Sequence, residues 1–275
     1  MKKILIIGLW ILLLSSLGTA ITNNAEASYN FEINGTIDST RNHNATSDTT
    51  TNTTGIIGSG RSSGAAKQIK FSNGAFGLLN NDFTISFWAN TTGTGDDRYI
   101  FSSQDEKGAT DYLFNIGYQG GGLRFRIGEG SNLHAWIYDN TSFDVNDGSR
   151  HHIFLTFEEN NGINAVSTCY VNNQLYYSYT NNYDNTEPDD NPYCIGAYCK
   201  DDGSDVLEFD GDYDQFIIYK RILTIDERTE LYNSGGGYDP YSTLSYLNIS
   251  TVASTFHKFS SRGRRYSIFI AEATS

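Results

Sequence analysis

Strict alternation of hydrophobic and polar positions over short segments is the clearest pattern in the chain. Phe83, Ile85 and Phe87 fall on one side of such a segment, with polar residues or Trp88 on the other. This is the pattern of a strand with one buried face. Aromatic and aliphatic segments of this kind are 68–71, 83–88, 99–101, 112–116, 123–127, 151–157, 169–171 and 216–219. The pattern predicts an all-β chain.

Turn residues separate these segments. Gly120-Gly121-Gly122 predicts a hairpin turn before the 123–127 strand, because glycine adopts the positive φ angles that tight hairpins require. Asn172-Asn173 predicts a second turn, since Asn tolerates positive φ better than most residues. Asp210-Gly211 predicts a third turn just before the last strand.

One short helix is predicted after that strand. Thr224 lies three residues before Glu227, the spacing at which a hydroxyl and a carboxylate cap each other's backbone N–H groups. We therefore expect a helix from Ile225 to about Tyr232, ended by the Gly235-Gly236-Gly237 run.

Composition favours one large β domain over two small ones. The 275 residues include 27 Gly, 19 Tyr and 16 Phe but one Met, a mixture suited to strands and turns. Residues 46–64 show no periodicity and predict a polar connection. Gly60 to Gly64 spells G-x-S-x-G, but the strand and helix that flank a hydrolase nucleophile elbow are missing, so we interpret it as a glycine turn.

The N-terminus has the form of a secretory signal peptide. Two lysines precede an apolar run over 4–17, and small residues follow that allow cleavage after Ala20 or after Ala27. We assign residues 1–27 as the signal and predict a secreted or surface-exposed protein. The alternative is an uncleaved membrane anchor, because the apolar stretch approaches the roughly 17–25 residues of a membrane span.

The charge and the cysteine content indicate which partners and which cellular compartment suit this chain. The formal net charge is −13, which disfavours nucleic acid because its binding needs a basic face. Cys169, Cys194 and Cys199 suit an oxidising compartment, and both a bridge from Cys169 to one of the others and a bridge between Cys194 and Cys199 are open. The spacing does not suit structural zinc, and the sequence does not predict the oligomeric state.

Several segments resemble, in order, the motifs of laminin-G-like, concanavalin A-like jelly rolls. Residues 83–88 match that family's F-T-I-S-F-W strand at every position, and residues 209–219 are similar to its F-x-G-x-I-D-x-V-x-I-Y motif, with Asp214 on the family's Asp. Residues 151–157 resemble its W-H-H-V-x-V-T-Y strand, although Arg150 replaces the Trp. Residues 169–175 resemble its L-Y-V-D-G-Q hairpin.

The resemblance covers about residues 28–240. It implies a two-sheet antiparallel β-sandwich with one short C-terminal helix, in which the strand of Asp214 lies beside the opening strand of Tyr29 and Phe31. Residues 241–275 form an extension of unknown role, in which 244–249 and 266–270 are candidate strands around a basic turn.

The resemblance also implies a structural calcium ion near the join of the first and last strands. The oxygen-bearing residues that match this region are Glu32, Asp38, Asn42, Asn44 and Asp214. The alternative is that Asp38 and the asparagines cap a turn and that Asp214 accepts a backbone hydrogen bond.

Candidate sugar-stacking residues are aromatic side chains in or beside loops rich in Asn and Asp, because rings cover the apolar face of a pyranose. They are Trp136, Tyr138, Tyr118, Tyr183 and Tyr193. Core or strand-edge packing is the alternative for each. We expect a non-catalytic module that binds a carbohydrate or a glycosylated surface; the alternative is a structural, protein-contact surface module that binds no sugar.

A third alternative is a glycoside hydrolase of the same superfamily. Glu208, Asp210 and Asp212 would share one face of an extended segment, close to the E-x-D-x-E pattern of its glucanases, in which carboxylates serve as nucleophile and acid. The Asp210-Gly211 turn and the Asp at the last position argue against it.

Overall fold

The computed structural model describes residues 25–32, 37–40, 42–79, 81–91, 98–104, 112–129, 134–138, 144–160, 164–183, 190–200, 209–240, 254–261 and 264–271. The chain divides into two compact units, Met1–Pro240 and Tyr241–Ser275. The first unit holds two antiparallel sheets, as the sequence predicted.

The first sheet has eight strands. They are β1 (Ala25–Tyr29), β3 (Thr51–Thr54), β4 (Ser59–Ser63), β6 (Phe83–Thr91), β11 (His151–Asn160), β12 (Asn164–Val171), β13 (Gln174–Asn182) and β15 (Gly211–Tyr219). Their order is β13-β12-β11-β6-β15-β4-β3, and β1 also pairs with β15. Tyr29 lies opposite Phe216 in that pairing, which confirms that the strand of Asp214 lies beside the opening strand.

The second sheet has seven strands. They are β2 (Ser47–Asp48), β5 (Ile69–Asn73), β7 (Arg98–Gln104), β8 (Tyr112–Gln119), β9 (Gly122–Glu129), β10 (His134–Tyr138) and β14 (Pro192–Ile195). Their order is β10-β9-β8-β7-β14-β5-β2. Gly120 and Gly121, with φ of +61° and +86°, form the predicted turn between β8 and β9.

Aromatic rings from both sheets form the core between them. The ring of Phe216 stacks on Phe87 at 5.4 Å and meets Phe101 of the other sheet edge-on at 4.9 Å. Phe31 lies in the same core as Phe216, although it follows β1 with a φ of +58° instead of continuing the strand. The burial of this many rings is the main favourable term in the fold.

Helix α1 (Ile225–Tyr232) begins and ends where the sequence predicted, and Thr224 and Glu227 make the capping box. Leu231 packs with Phe154 on the outer face of the eight-stranded sheet. The Arg228 guanidinium lies 3.6 Å from the centroid of the Tyr170 ring. This outer face is therefore covered by a helix.

Two turn predictions were wrong. Residues 46–64 contain β2, β3 and β4, and the G-x-S-x-G segment lies in β4 and just beyond it. Hydrophobic periodicity misses such strands because β3, at the edge of its sheet, is polar on both faces. Gly211 begins β15 and pairs with both Thr91 and Ser63, so it is not part of a turn.

The cysteine question is settled by a bond between Cys194 and Cys199. Cys169 is buried and unpaired, and burial raises the pKa of its thiol. Such a thiol is inert at ordinary pH because the reactive form is the thiolate.

The second unit contains a hairpin of β16 (Ser254–Ser261) and β17 (Arg264–Ala271). The candidate strand 266–270 lies in β17, whereas 244–249 lies outside the described residues. Of the predicted signal, 1–27, residues 1–24 also lie outside them, and Ala25 to Ala27 belong to β1. Among the residues that the structure describes, no helix has the length and apolar character needed to cross a membrane.

Candidate ligand-binding face

The aromatic residues predicted to stack on sugar are mostly core residues. Relative exposures are 5% for Trp136, 1% for Tyr118, 0% for Tyr183 and 0% for Tyr193. The Trp136 ring, for example, packs 5.3 Å from that of Tyr177. In this structure these rings supply packing and offer no open face to a ligand. Tyr138 belongs to β10, and its side chain lies outside the described residues.

Asp38, predicted to bind calcium, caps a turn. Its Oδ1 accepts N–H bonds from Ser28 at 2.8 Å and Thr40 at 2.9 Å, and its Oδ2 accepts N–H bonds from Asn42 at 3.1 Å and His43 at 3.0 Å. The Asn44 side-chain oxygen accepts the N–H of Asp38. With its lone pairs occupied by donors, this carboxylate does not fit a cation site.

Asp214 and Glu32 hold a different turn. The Oδ2 of Asp214 accepts the backbone N–H of Ile56 at 2.7 Å and of Ile57 at 3.2 Å, and Glu32 accepts that of Ser59 at 3.2 Å. Among the described residues no group of three or more His, Cys, Asp or Glu side chains is arranged to hold a metal ion. The five predicted ligands thus belong to two different turns in this structure, and calcium stays a prediction.

The candidate glycosidase carboxylates are not aligned on one strand. Asp210 precedes β15 and is exposed, whereas Asp212 lies within it, 3.8 Å from Arg150 and 3.4 Å from the Thr53 hydroxyl. Glu208 lies outside the described residues. The arrangement shows no opposed pair of carboxylates among the described members of this set.

The outer face of the seven-stranded sheet carries a different set of polar residues. Phe125 and Ile127 point into the core, so alternation places Arg124 and Arg126 of β9 on the outside. By the pairing register, Asn115 of β8 lies opposite Arg126 on one side and Ser102 of β7 on the other. We call Asn115, Gln104, Arg124, Arg126, Tyr99 and Tyr198 the outer-face cluster.

Two side-chain amides in this cluster have polar atoms without a hydrogen-bond partner among the described residues. Asn115 is 0% exposed, and neither its side-chain nitrogen nor its side-chain oxygen has a hydrogen-bond partner in the part of the chain that the structure describes. The side-chain oxygen of Gln104, a residue 6% exposed, also has none. Buried polar atoms are nearly always paired, and leaving one unpaired costs about 1–3 kcal/mol. Two such side chains on neighbouring strands make this face the candidate site for a polar ligand.

Aromatic rings lie beside these amides. Tyr99 sits at the irregularity of β7, opposite Gly117, and its ring packs 4.5 Å from that of the half-exposed Tyr198. The Arg124 guanidinium lies 4.7 Å from the Tyr99 ring centroid. Gly117 permits the close approach of the β7 backbone beside Tyr99, because a Cβ there would lie 2.2 Å from the carbonyl oxygen of Arg98.

The disulfide loop positions Tyr198. Ser102 donates its hydroxyl hydrogen to the Ala197 carbonyl at 2.7 Å and accepts the Cys199 N–H at 2.7 Å. The bond between Cys194 and Cys199 closes the loop from β14, which pairs with β7. Amide groups, guanidinium groups and stacked rings therefore converge on one face, a combination that suits a ligand with hydroxyls and apolar ring faces.

Sequence reasoning missed this face, although part of its signal was present. The alternation of Leu123 to Ile127 places both arginines opposite the core. That Asn115 has no partner depends on its three-dimensional neighbours and leaves no trace in the sequence.

The fold and the sequence agree on a family. A laminin G family model, described as the concanavalin A-like lectin/glucanases superfamily, matches residues 62–227. The chain belongs to this superfamily. No curated protein matches it in sequence.

Solved structures of low identity share this superfamily fold. Domain 4 of AbnA, a GH43 extracellular arabinanase from Geobacillus stearothermophilus in complex with arabinotriose, is 18% identical with a TM-score of 0.57, covering 78% of this chain and 98% of that one. The binding domain of Paraclostridial Mosquitocidal Protein 1 is 15% identical with a TM-score of 0.56, covering 90% of this chain and 64% of that one.

The receptor binding domain of botulinum neurotoxin D is 14% identical with a TM-score of 0.54, covering 78% of this chain and 54% of that one. This chain therefore spans less than two thirds of both toxin domains. Two of the three neighbours are described as binding domains, and the third holds a sugar. At these identities the likeness shows the fold alone.

Proposed function

We propose that this chain is a non-catalytic, extracellular carbohydrate-binding module whose sugar site is the outer-face cluster. The observation that carries the proposal is the buried amide of Asn115. Neither of its polar side-chain atoms has a hydrogen-bond partner among the described residues, and it lies on the same face as the Tyr99 and Tyr198 rings. An amide can donate to one hydroxyl of a sugar and accept from the next, while a ring covers the sugar's apolar face.

The two outer faces of the sandwich support this choice. Helix α1 occupies the outer face of the eight-stranded sheet through Leu231 and Arg228. Among the described residues no helix covers the other outer face. Arg126 and Tyr198, which are half-buried, are therefore the members of the cluster that a ligand on the seven-stranded sheet would meet first.

Catalysis is not part of the proposal. The cluster offers amides, guanidinium groups and phenols, whereas glycoside hydrolysis uses two opposed carboxylates. Two of the reported neighbours are described as binding domains, which agrees with a binding role. An assay for reducing sugar released from arabinan, β-glucan and pectin tests the point, and we expect no release above that of a heat-denatured sample.

Export from the cell is the second part of the proposal. It is supported by the signal-like N-terminus and by the Cys194–Cys199 bond, because disulfides persist mainly in oxidising compartments. One of the neighbours, the arabinanase, is described as extracellular.

The test begins with a glycan array and continues with calorimetry on the best saccharide. Tyr198→Ala removes a ring and should weaken binding about 3- to 10-fold, in line with about 0.5–1.5 kcal/mol for an aromatic contact. Asn115→Leu should abolish measurable binding and also raise the free energy of unfolding of the ligand-free protein by about 1 kcal/mol, since an unsatisfied buried amide is removed.

Thr168→Ala is the matched control, because its hydroxyl contacts Ser178 in the eight-stranded sheet. It should leave binding unchanged. Normal binding by Asn115→Leu would contradict the proposed site. An array without any hit, together with capture of a protein partner that Tyr198→Ala abolishes, would favour the protein-contact alternative.

A further inference from the structure

Arg126 is a half-buried cation for which the described residues supply no counter-ion. Its side chain lies on the outer face of β9, opposite Asn115 in the pairing with β8. No hydrogen bond or ion pair joins it to any of the residues that the structure describes. Side chains at such opposite positions have Cβ atoms about 4.5–5.5 Å apart, so the guanidinium and the amide can reach one ligand group.

Other arginines that the structure describes do have carboxylate partners, in contrast to Arg126. Asp and Glu number 32 against 19 Lys and Arg, so carboxylates are in excess. Arg221 makes two bonds to Glu227, at 2.6 and 2.9 Å, and Arg61 lies 3.7 Å from Asp48. Arg150 lies 3.8 Å from Asp212. An acidic protein that pairs these arginines leaves Arg126 beside the unsatisfied amide of Asn115.

The chemistry of the pair identifies the class of ligand. A guanidinium presents two parallel N–H donors that match the two oxygens of a carboxylate, and bonds between charged partners are roughly twice as strong as neutral ones. Arg124 lies on the same face two residues earlier, which adds positive potential. The Asn115 nitrogen supplies a further donor.

We propose that the saccharide bound by the outer-face cluster carries a carboxylate, as uronic and sialic acids do, and that Arg126 is the residue that binds it. This inference rests on the proposed function. The half-exposed Tyr198 ring then contacts the sugar ring, and Arg126 with Asn115 selects the acidic group.

The test compares saccharides that differ at the carboxylate alone. Calorimetry with a galacturonic acid oligomer and its methyl ester, and with sialyllactose and lactose, measures the preference. We expect the acidic member of at least one pair to bind about 10- to 100-fold more tightly, the range of a charge-assisted hydrogen bond. Arg126→Gln should reduce that preference to less than about twofold, and Arg126→Lys should retain part of it.

Lys220→Gln is the control for net charge, because it removes one positive charge at the end of β15, where Lys220 pairs with Glu26. It should leave the preference unchanged. Melting curves establish that each variant is folded. We expect the Arg126 variants to fold, because the Arg126 side chain is half-exposed.

The outcomes separate the two proposals. Equal binding of acidic and neutral members, sensitive to Tyr198→Ala but not to Arg126→Gln, overturns the carboxylate assignment and leaves the sugar site standing. Preference for sulfated over carboxylated saccharides also overturns it. Failure of every saccharide to bind overturns both.

Discussion

The carboxyl group of Asp214 is held inside the protein by backbone donors. It accepts N–H bonds from Ile56 at 2.7 Å, Ile57 at 3.2 Å and Gln215 at 2.7 Å. These bonds favour the ionised form, but burial is the larger influence and raises the pKa of the group to about 7. The protonated carboxyl is therefore the form that the fold favours.

A pH dependence follows from this pKa. Because the folded state binds the Asp214 proton more tightly than the unfolded state, its contribution to stability is complete below about pH 4 and is lost as pH rises to about 7. The slope for one proton reaches at most about 1.4 kcal/mol per pH unit. Urea unfolding between pH 4 and pH 8 measures the difference in free energy of unfolding between wild type and Asp214→Asn. Because both proteins contain all the other carboxyl groups, this difference reports on Asp214.

We expect the stability advantage of wild type over Asp214→Asn to shrink as pH rises through this interval. An advantage that grows instead would show that the three N–H donors outweigh burial and lower the pKa.

Individual residues differ in how far the sequence determined their roles. Tyr118 lies two positions after Ile116 and four after Phe114, so alternation alone places it in the core, where the structure has it. Tyr118 was predicted to bind sugar because it lies beside a loop, but its position in the alternating strand was the better guide. The proposed roles of Asn115 and Arg126, by contrast, could not be predicted from the sequence. They depend on which described side chains lie near them in the folded structure.

At the scale of elements, helix α1 is fully determined by local sequence. Thr224 accepts the Glu227 N–H at 3.3 Å, and Glu227 accepts the Thr224 N–H at 2.8 Å. Each bond satisfies a donor that the first helical turn leaves without a partner. The first residue of this helix could be predicted from the sequence because both residues of the capping box, Thr224 and Glu227, lie within four positions of each other.

Removal of the cap should destabilise the whole domain, because α1 is packed on the eight-stranded sheet. We expect Thr224→Ala to lower the free energy of unfolding by about 1 kcal/mol. Thr224→Ser keeps the hydroxyl and should lose less than half as much. Urea unfolding measures both, and equal effects from the two variants would show that the Thr224 methyl group, rather than the capping bond, stabilises the helix.

Strands were predicted less evenly than the helix. Those with one buried face, such as β6 and β11, show alternation and were found. The polar edge strand β3 and its neighbour β4 show none. β4 pairs with β3 on one side, where Thr51 lies opposite Ser62, and with the distant β15 on the other, where Tyr213 lies opposite Arg61. Local sequence carries no record of such a partner.

The disulfide loop is the element that most directly affects the proposed site. Replacing Cys194 and Cys199 with serine opens a short loop, which in the chain-entropy account costs about 2 kcal/mol of stability. The domain should stay folded, but Tyr198 should no longer be held against Tyr99. We expect saccharide binding to weaken at least threefold by calorimetry.

Cys169→Ala is the control for loss of a cysteine, because that thiol is buried elsewhere in the core. Its stability should fall without a change in affinity. Unchanged affinity in the double serine variant would show that the Ser102 bonds alone hold the loop.

At the scale of the first unit, the outer faces of the two sheets differ: one packs against α1, and the other carries the outer-face cluster. The eight-stranded sheet buries its outer face under α1 and receives β1 beside β15. The seven-stranded sheet keeps buried amides and a cation on its outer face at a cost in stability. Natural proteins retain such costs at functional sites, which is why the family fold could be predicted from sequence while the site could not.

The place of β1 in the sandwich also revises where we expect the predicted signal segment to be removed, which the sequence analysis placed at Ala27. Ala25 pairs with Tyr219 and Ala27 with Ile218, Ala27 is fully buried, and Glu26 lies 3.3 Å from Lys220 and 2.7 Å from His43. Cleavage after Ala27 would remove these residues from β1.

We therefore expect secreted protein to begin at Ile21, after cleavage at Ala20, and N-terminal sequencing with intact mass measurement checks this. A chain produced to begin at Ser28 should unfold at a lower urea concentration than one that begins at Ile21, because it lacks the first half of a strand paired with β15. Secreted protein that begins at Ser28, with undiminished stability, would show that β15 does not need those residues, and a retained Met1 would instead support the membrane anchor.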